Sequence, residues 1–397
     1  MRAIQIHDTP TPSPSLLGLL KSHLPHSLPV LRRLQFLQNF PPAGRTAHTH
    51  VVHAHYGQED EVVGGDKATD GSWKGGAGEG GAGGGAGEGA GEEEGREDDW
   101  GSHVAVAFVD LFSGRETQVW VYSSLEDDER HDKTNDESDD AVRAGGSRFA
   151  SWAGERTEQE EEALDLVLAV LQRVRAIAAA TISSSSSSSS NSGPQAKEEN
   201  KEGGMMRTGE VLVGSMHESV RQGLLARGVR MRKSINEPPN AEWDFYGKWL
   251  FRVENLPLPA DHPLPEGMRW DRIGVKDIDL VLERTVIKRR PSTLLKLPSV
   301  VIRLNDETPI AWAFIGLDGS LSTLHVEEAY RQRGLARALV CKLIRERLPE
   351  YGDDGWGAAD VSVDNHKSQA LCRSVGGKNR WVTSWALVDL SSVGEPM

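Results

Sequence analysis

The sequence predicts an α/β protein in which a mixed central sheet, with helices on both faces, follows a smaller α/β domain. Two observations support this class. Residues 268–390 read as strand, helix, three strands, helix, strand, helix and strand, and each helix carries one apolar face. Residues 1–234 contain a hairpin pattern and one long apolar-faced helix, separated by low-complexity tracts.

The N-terminal domain, residues 1–234, contains several recognisable elements. Val104–Asp110 and residues 117–122 alternate like two strands around Ser113-Gly114, which predicts a hairpin. Apolar residues recur with a helical period over residues 163–180. The remaining predicted elements are an interrupted helical region at 17–37, strands at 48–54 and 210–216, and a helix at 218–226.

Low-complexity tracts interrupt this domain, and we predict that they are disordered insertions. Residues 75–91 consist only of Gly, Ala and Glu, and residues 183–194 are a serine run that ends in Asn-Ser-Gly-Pro. Such segments bury too little apolar surface to offset their chain entropy. The predicted insertions cover about residues 58–100, 125–162 and 182–204.

A stretch rich in Pro, Trp and Asn, residues 235–267, reads as a connector, and the C-terminal domain follows at 268–390. Asp318-Gly319 is a strong hairpin turn between two of its strands. Pro349 ends the helix predicted from residue 335. The predicted strands cover 268–273, 299–304, 310–315, 320–326, 358–363 and 381–388, and the helices cover 276–284, 335–348 and 367–375.

Charge and cysteine content exclude several classes. The formal net charge is −14, which argues against a nucleic-acid partner or an acidic membrane. The net negative charge lies in the insertions, since residues 59–99 hold 13 acidic and 3 basic side chains and residues 125–162 hold 14 acidic and 5 basic ones. Two cysteines cannot build a disulfide framework or a cysteine zinc site, so we expect no metal. We also expect no membrane span and a cytoplasmic location, with the acid-poor N-terminus leaving a mitochondrial location open.

The join between the strand ending at Val326 and the following helix is the most informative segment. Gly334 stands at the helix start, where backbone N–H groups lack internal partners and the helix dipole is positive. Arg331, Arg333 and Arg337 add positive charge around it. This combination favours an anion site that suits a diphosphate, and an ordinary helix start with exposed arginines is the alternative.

The segment Arg331-Gln-Arg-Gly-Leu-Ala336 resembles the (Q/R)-x-x-G-x-(G/A) signature of the GNAT superfamily of N-acyltransferases. The stretch from Val363 to Leu371 is also similar to that family, and residues 309–312 with Tyr330-Arg331 look closest to its glycine N-acyltransferase-like branch. The resemblance implies a GNAT-type mixed sheet over about residues 265–390, with acyl-CoA as co-substrate. The cofactor-binding residues that it implies are Leu324, Val326, Arg331, Gln332, Arg333, Gly334, Leu335, Ala336, Arg337, Asn365 and Ser368.

The resemblance also implies that an amine attacks the acyl thioester directly, beside a backbone N–H that polarises the carbonyl. Many relatives place a tyrosine where this chain has Cys372, whose thiol is either a proton donor or a packed side chain. The glycine-conjugating relatives place a glutamate base at Ser320. His325 is the best replacement base, because an imidazole titrates near neutral pH, and a structural histidine is the alternative.

The sequence is therefore compatible with three functions. The first is an acyl-CoA-dependent N-acyltransferase that acylates a small amine or an amino acid. The second is an acyl-CoA-binding regulatory protein or scaffold whose catalytic site has lapsed, as Ser320 and Cys372 suggest. The third is a protein N-acetyltransferase. The acceptor, the acyl length, the oligomeric state and the role of the N-terminal half are not fixed by these patterns.

Overall fold

The computed structural model describes residues 2–40, 46, 48–57, 100–114, 116–127, 156–187, 209–233, 241–258, 263–285, 287 and 289–394. Most of the three predicted insertions lies outside the described residues. The strands are β1 Ile4–Thr9, β2 Thr49–Tyr56, β3 Val104–Asp110, β4 Val119–Ser123, β5 Glu210–His217, β6 Met231–Arg232, β7 Tyr246–Arg252, β8 Met268–Asp271, β9 Ser299–Leu304, β10 Pro309–Ile315, β11 Leu321–Val326, β12 Trp356–Ser362 and β13 Lys378–Asp389. The helices are α1 Pro14–Ser22, α2 Leu28–Asn39, α3 Glu158–Ser187, α4 Glu218–Ala226, α5 Ile278–Arg284, α6 Pro291–Leu294, α7 Leu335–Arg347 and α8 His366–Ser374.

The strands form two sheets that meet at one point. The larger has the order β1-β2-β3-β4-β5-β13-β7-β12, with the short β6 paired to β13, and the smaller has the order β11-β10-β9-β8. Most pairs are antiparallel, and β4 with β5 is parallel, so the larger sheet is mixed as predicted. An isolated parallel bridge between Ser320 and Ala358 joins β11 of the smaller sheet to β12 of the larger one.

The strand β7 was not predicted, because it lies in the stretch that reads as a connector. It pairs along its whole length with β12 and also with β13, so it separates two strands that follow each other in the C-terminal half. Its Lys248 is 1% exposed and donates to Asp360 Oδ2 of β12 at 2.7 Å. A buried lysine needs such a partner. Because the partner lies 112 positions away, the residues around Lys248 gave no signal of this strand.

The long helix α3 packs on the sheet of the N-terminal half and is longer than predicted. Its apolar residues, among them Leu164, Val167 and Leu171, are buried together with side chains of β2 to β5. By length and composition Glu158–Ser183 is also the one helix, within the described residues, that is apolar enough to cross a membrane, contrary to the expectation of no such stretch. Core helices meet the same criterion, and the packing of α3 is that of a core helix.

The predicted insertions at 125–162 and 182–204 overlap α3 and are wrong at those edges. The helix begins after Thr157, whose Oγ accepts from the Glu160 N–H while the Glu160 carboxylate accepts from the Thr157 N–H. This capping box was visible in the sequence as Thr-x-x-Glu, within a run of acids that reads as disorder. Acidic side chains in the first turn also interact favourably with the helix dipole.

The two halves share core and polar contacts. Phe36 of α2 belongs to the apolar core that α7 forms with β9 and β10. Arg32 of the same helix is 1% exposed, and its guanidinium donates to both carboxylate oxygens of Asp354 and to the Trp356 carbonyl at 2.5 to 2.6 Å. The N-terminal helices therefore pack directly on the segment that leads into β12.

Candidate functional site

The candidate site lies where β11 and β12 separate. These strands run parallel and touch at the Ser320–Ala358 bridge, and no further pairing between them follows within the described residues. Their outer neighbours hold them apart, since β11 pairs with β10 and β12 pairs with β7. The two strands therefore open a cleft toward their C-terminal ends, which lead into the segments before α7 and α8.

The segment before α7 has the backbone of an anion site. Gln332 and Gly334 adopt positive φ angles of 61° and 76°, and residues 331–334 are exposed. Within the described part of the chain, the backbone N–H groups of Gln332 and of residues 334–337 make no hydrogen bond to a protein acceptor. A Cβ placed on Gly334 would meet no atom within 4 Å, so the space beside this glycine is open. Unpaired helix N–H groups facing open space favour an anion.

Three arginines, Arg331, Arg333 and Arg337, lie in the same segment as these N–H groups. Arg331 Nε donates to the Val326 carbonyl at 2.9 Å, and an Arg333 terminal nitrogen donates to the Ala329 carbonyl at 3.1 Å. Both contacts use neutral carbonyl oxygens, so the two charges are not neutralised by a carboxylate in these bonds. Arg337 Nε is buried and has no hydrogen-bond partner among the described residues. The binding of a pyrophosphate by residues 331–337 remains a prediction.

Asn365 and Ser368 lie together at the start of α8, after β12. Asn365 caps the helix, because its Oδ1 accepts from the Ser368 N–H at 3.1 Å. The Asn365 side chain is exposed at the C-terminal end of the cleft-forming strand. Contact of this pair with acyl-CoA remains a prediction.

A bulge in β11 decides which side chains face the same way. Thr323 has a φ of 50°, and the pairing with β10 shifts there. Ser322 lies opposite Phe314, and His325 lies opposite Trp312. Phe314 and Trp312 are two residues apart and share one face of β10, so Ser322 and His325 also share one face.

His325 is packed against an aromatic ring and lies close to a carboxylate. Its ring stacks on Trp312 with centroids 4.7 Å apart, and its Nε2 lies 3.6 Å from Glu327 Oε1. Burial lowers the pKa of His325 below its usual value, and the Glu327 charge opposes that shift. Arg284 of α5 holds the same Glu327 oxygen at 3.0 Å. A neutral imidazole at this position can accept a proton near pH 7.

Cys372 and Ser320 occupy structural positions. Cys372 is 2% exposed, and burial raises the pKa of its thiol to about 12, which suits a packed side chain better than a proton donor. Ser320 Oγ donates to Asp318 Oδ1 at 2.7 Å within the predicted Asp318-Gly319 turn. The described residues contain no cluster of three or more His, Cys, Asp or Glu side chains with metal-site geometry.

Sequence reasoning missed the polar residues that reach β11 from the segment between α5 and α6. A terminal nitrogen of Arg289 donates to Ser322 Oγ at 3.0 Å, while its Nε is buried without a hydrogen-bond partner in the described residues. The basic run Lys288-Arg289-Arg290 was a visible signal. What the sequence did not show is that Arg289 contacts Ser322, which shares its face of β11 with His325.

Comparison with protein families identifies two matching regions. The model of the acyl-CoA N-acyltransferase verG N-terminal domain matches residues 3–246, and the model of FR47-like proteins matches residues 302–386. No curated protein matches the chain in sequence. The N-terminal half thus carries the longer match.

Matches to solved structures were also found, all at low sequence identity. A Drosophila protein covers 98% of this chain and 99% of its own at 14% identity, with a TM-score of 0.48. A tandem GNAT protein from the clavulanic acid biosynthesis pathway covers 99% of both chains at 10% identity, with a TM-score of 0.42. A GCN5-related N-acetyltransferase from Kribbella flavida covers 45% of this chain and 67% of its own at 12% identity, with a TM-score of 0.32.

Proposed function

Because the chain belongs to the family of the acyl-CoA N-acyltransferase verG, within the GNAT superfamily, we propose that it transfers an acyl group from acyl-CoA to the nitrogen of a small amine or amino acid. The observation that carries the proposal is the exposed turn of residues 331–334, with the start of α7, beside the cleft between β11 and β12. Its unpaired N–H groups and arginines suit a pyrophosphate. The cleft gives an extended thioester arm a path between two strands.

The proposed chemistry is direct attack. The acceptor nitrogen forms a bond to the thioester carbonyl carbon, the C–S bond then breaks, and coenzyme A leaves as the thiol after its sulfur takes a proton from solvent. A backbone N–H on the cleft edge of β11 would stabilise the oxyanion. His325 accepts the proton that the nitrogen loses, because burial keeps its imidazole neutral at pH 7.

Calorimetric titration of the full chain with acetyl-CoA and with coenzyme A tests the first step. Saturable binding of both is the expected result. Thiol release from acetyl-CoA, followed with glycine, L-phenylalanine and 2-phenylethylamine as acceptor probes, then tests transfer. Absence of saturable binding to the full chain would reject acyl-CoA as the co-substrate.

The second candidate is an acyl-CoA-binding protein without turnover. The burial of Cys372 favours it, since the position of the expected proton donor holds a packed thiol. The engagement of Ser320 by Asp318 points the same way, because no base stands there. The two candidates differ in one result, since this one predicts tight acetyl-CoA binding with no thiol release above the rate in buffer for any amine.

A further inference from the structure

One carboxylate of the N-terminal half holds the start of α6 in the C-terminal half. Glu116, in the loop between β3 and β4, accepts from the Arg290 backbone N–H at 2.9 Å and from Thr293 Oγ at 2.7 Å. A terminal nitrogen of Arg290 lies 3.4 Å from the second of these carboxylate oxygens. The Glu116 side chain is 11% exposed, so these contacts lie mostly away from water.

The two short hydrogen bonds provide most of this attachment. The Arg290 side chain is 40% exposed, and an ion pair at that exposure contributes little because solvent screens it. The Arg290 N–H and the Thr293 hydroxyl are different, because Thr293 is 6% exposed and loses its acceptor when the carboxylate is removed. A buried donor without an acceptor is costly, so the segment would move to find water.

The attached segment carries the side chain that reaches the acceptor face of β11. Arg289 precedes Arg290 directly and donates to Ser322 Oγ at 3.0 Å. Ser322 shares its face of β11 with His325, the proposed base. The position of the Arg290 backbone, which Glu116 fixes, therefore also fixes the direction from which Arg289 approaches that face.

We propose that Glu116 is a positioning residue for the acceptor side of the site, acting through Arg290 and Thr293 on Arg289. This inference rests on the proposed N-acyltransferase function. It gives the N-terminal half a role in the reaction: its β3–β4 loop orders the segment that borders the acceptor, while the acyl-CoA turn at residues 331–337 belongs to the C-terminal half alone.

Hydrogen exchange of the full chain, with no ligand added, tests the attachment. In Glu116→Ala we expect at least about tenfold faster exchange at residues 290–295 and unchanged exchange in α7. Thr293→Val removes one of the two short bonds and should give a smaller increase at the same residues. Asp353→Asn is the matched control, because its exposed ion pair with Lys21 also joins the two halves but lies elsewhere.

Steady-state kinetics tests the positioning role. With any of the three acceptor probes that is acylated, Glu116→Ala should raise KM for that probe about tenfold, leave KM for acetyl-CoA unchanged, and be partly rescued in Glu116→Gln. Unchanged exchange at residues 290–295, an unchanged acceptor KM, or an equal rise in both KM values would overturn the proposal. Failure of the proposed function would differ, because the wild-type chain would then not bind acetyl-CoA or not release thiol.

Discussion

The side chains of Ser322 and His325 lie on the same face of β11, although residues three apart in a regular strand face opposite ways. The bulge at Thr323, with its φ of 50°, accounts for this arrangement. It places the hydroxyl that Arg289 contacts and the imidazole that Trp312 supports beside one another. The strand therefore presents two polar groups on one face near the cleft.

The pH dependence of turnover follows from the surroundings of His325. Its folded-state pKa is lowered by burial, so the imidazole is neutral at pH 7 and kcat/KM should fall only as pH drops through a value below the usual 6.5. His325→Ala should remove this acid limb and lower kcat about a hundredfold, within the range for a general base. The measurement is kcat/KM against pH with an acceptor probe.

The Glu327 carboxylate gives a sharper test of the same assignment. Its charge raises the pKa of His325 against the effect of burial, so Glu327→Gln should lower that pKa further and move the acid limb to lower pH. Glu328→Gln is the control, because Glu328 is exposed and is not among the charges that shift His325. A limb that stays in place in Glu327→Gln would exclude His325 as the titrating group.

Cys372 should contribute to packing and not to proton transfer. The thiol is buried, its pKa is raised to about 12, and it lies in the core that contains α7. Cys372→Ala should cost about 1 kcal/mol of unfolding free energy and leave kcat unchanged. Cys341→Ala, at a second buried thiol, should behave alike. Denaturant unfolding and thiol-release rates provide the two readouts, and a tenfold loss of kcat confined to Cys372→Ala would restore the proton-donor role.

Gly334 should matter for acyl-CoA affinity more than for stability. Any residue other than glycine would be strained at this φ of 76° by about 1–2 kcal/mol. The backbone would shift to relieve that strain, and the N–H groups of residues 332–337 would then point in other directions. Gly334→Val should weaken acetyl-CoA binding at least about tenfold by calorimetry. Gly228→Val is matched, with a φ of 80° and equally open space, but lies at the end of α4. Equal acetyl-CoA affinity in the two variants would reject the turn as the pyrophosphate site.

Local patterns predicted the elements around the site well. The apolar period of α7, the Asp318-Gly319 turn and the glycine at the helix start are all encoded within a few residues, and the structure has each of them. The residues around the exposed turn could therefore be named from the sequence. The hydrogen bond from the Ser368 N–H to Asn365 is a local helix cap, and such a cap can also be predicted from a few neighbouring residues.

Features that depend on distant pairing could not be predicted in this way. The bulge at Thr323 is defined by how β11 pairs with β10. The residue pattern of β11 alone does not specify that pairing, so it could not predict the bulge. Glu116 and Arg290 are separated by 174 positions, so their contact has no local signature. The pairing of β7 also has no local signature, because its neighbours β12 and β13 lie far along the chain from it. The face of β11 that carries Ser322 and His325 depends on such contacts, whereas the turn at residues 331–334 does not.

The position of β7 predicts where the chain can be cut. Its seven residues pair in full register with β12 and also join β13, so a fragment of residues 263–394 leaves those two strands without the strand between them. Lys248, the buried partner of Asp360, would be lost as well, so the Asp360 carboxylate would keep the hydrogen bond from Thr383 but lose its positive partner in the core. We expect this fragment to be largely unfolded by circular dichroism and not to bind acetyl-CoA.

A fragment of residues 241–394, which retains β7, should regain measurable structure. If residues 263–394 fold cooperatively and bind acetyl-CoA as tightly as the full chain, then β7 is not required for the C-terminal fold.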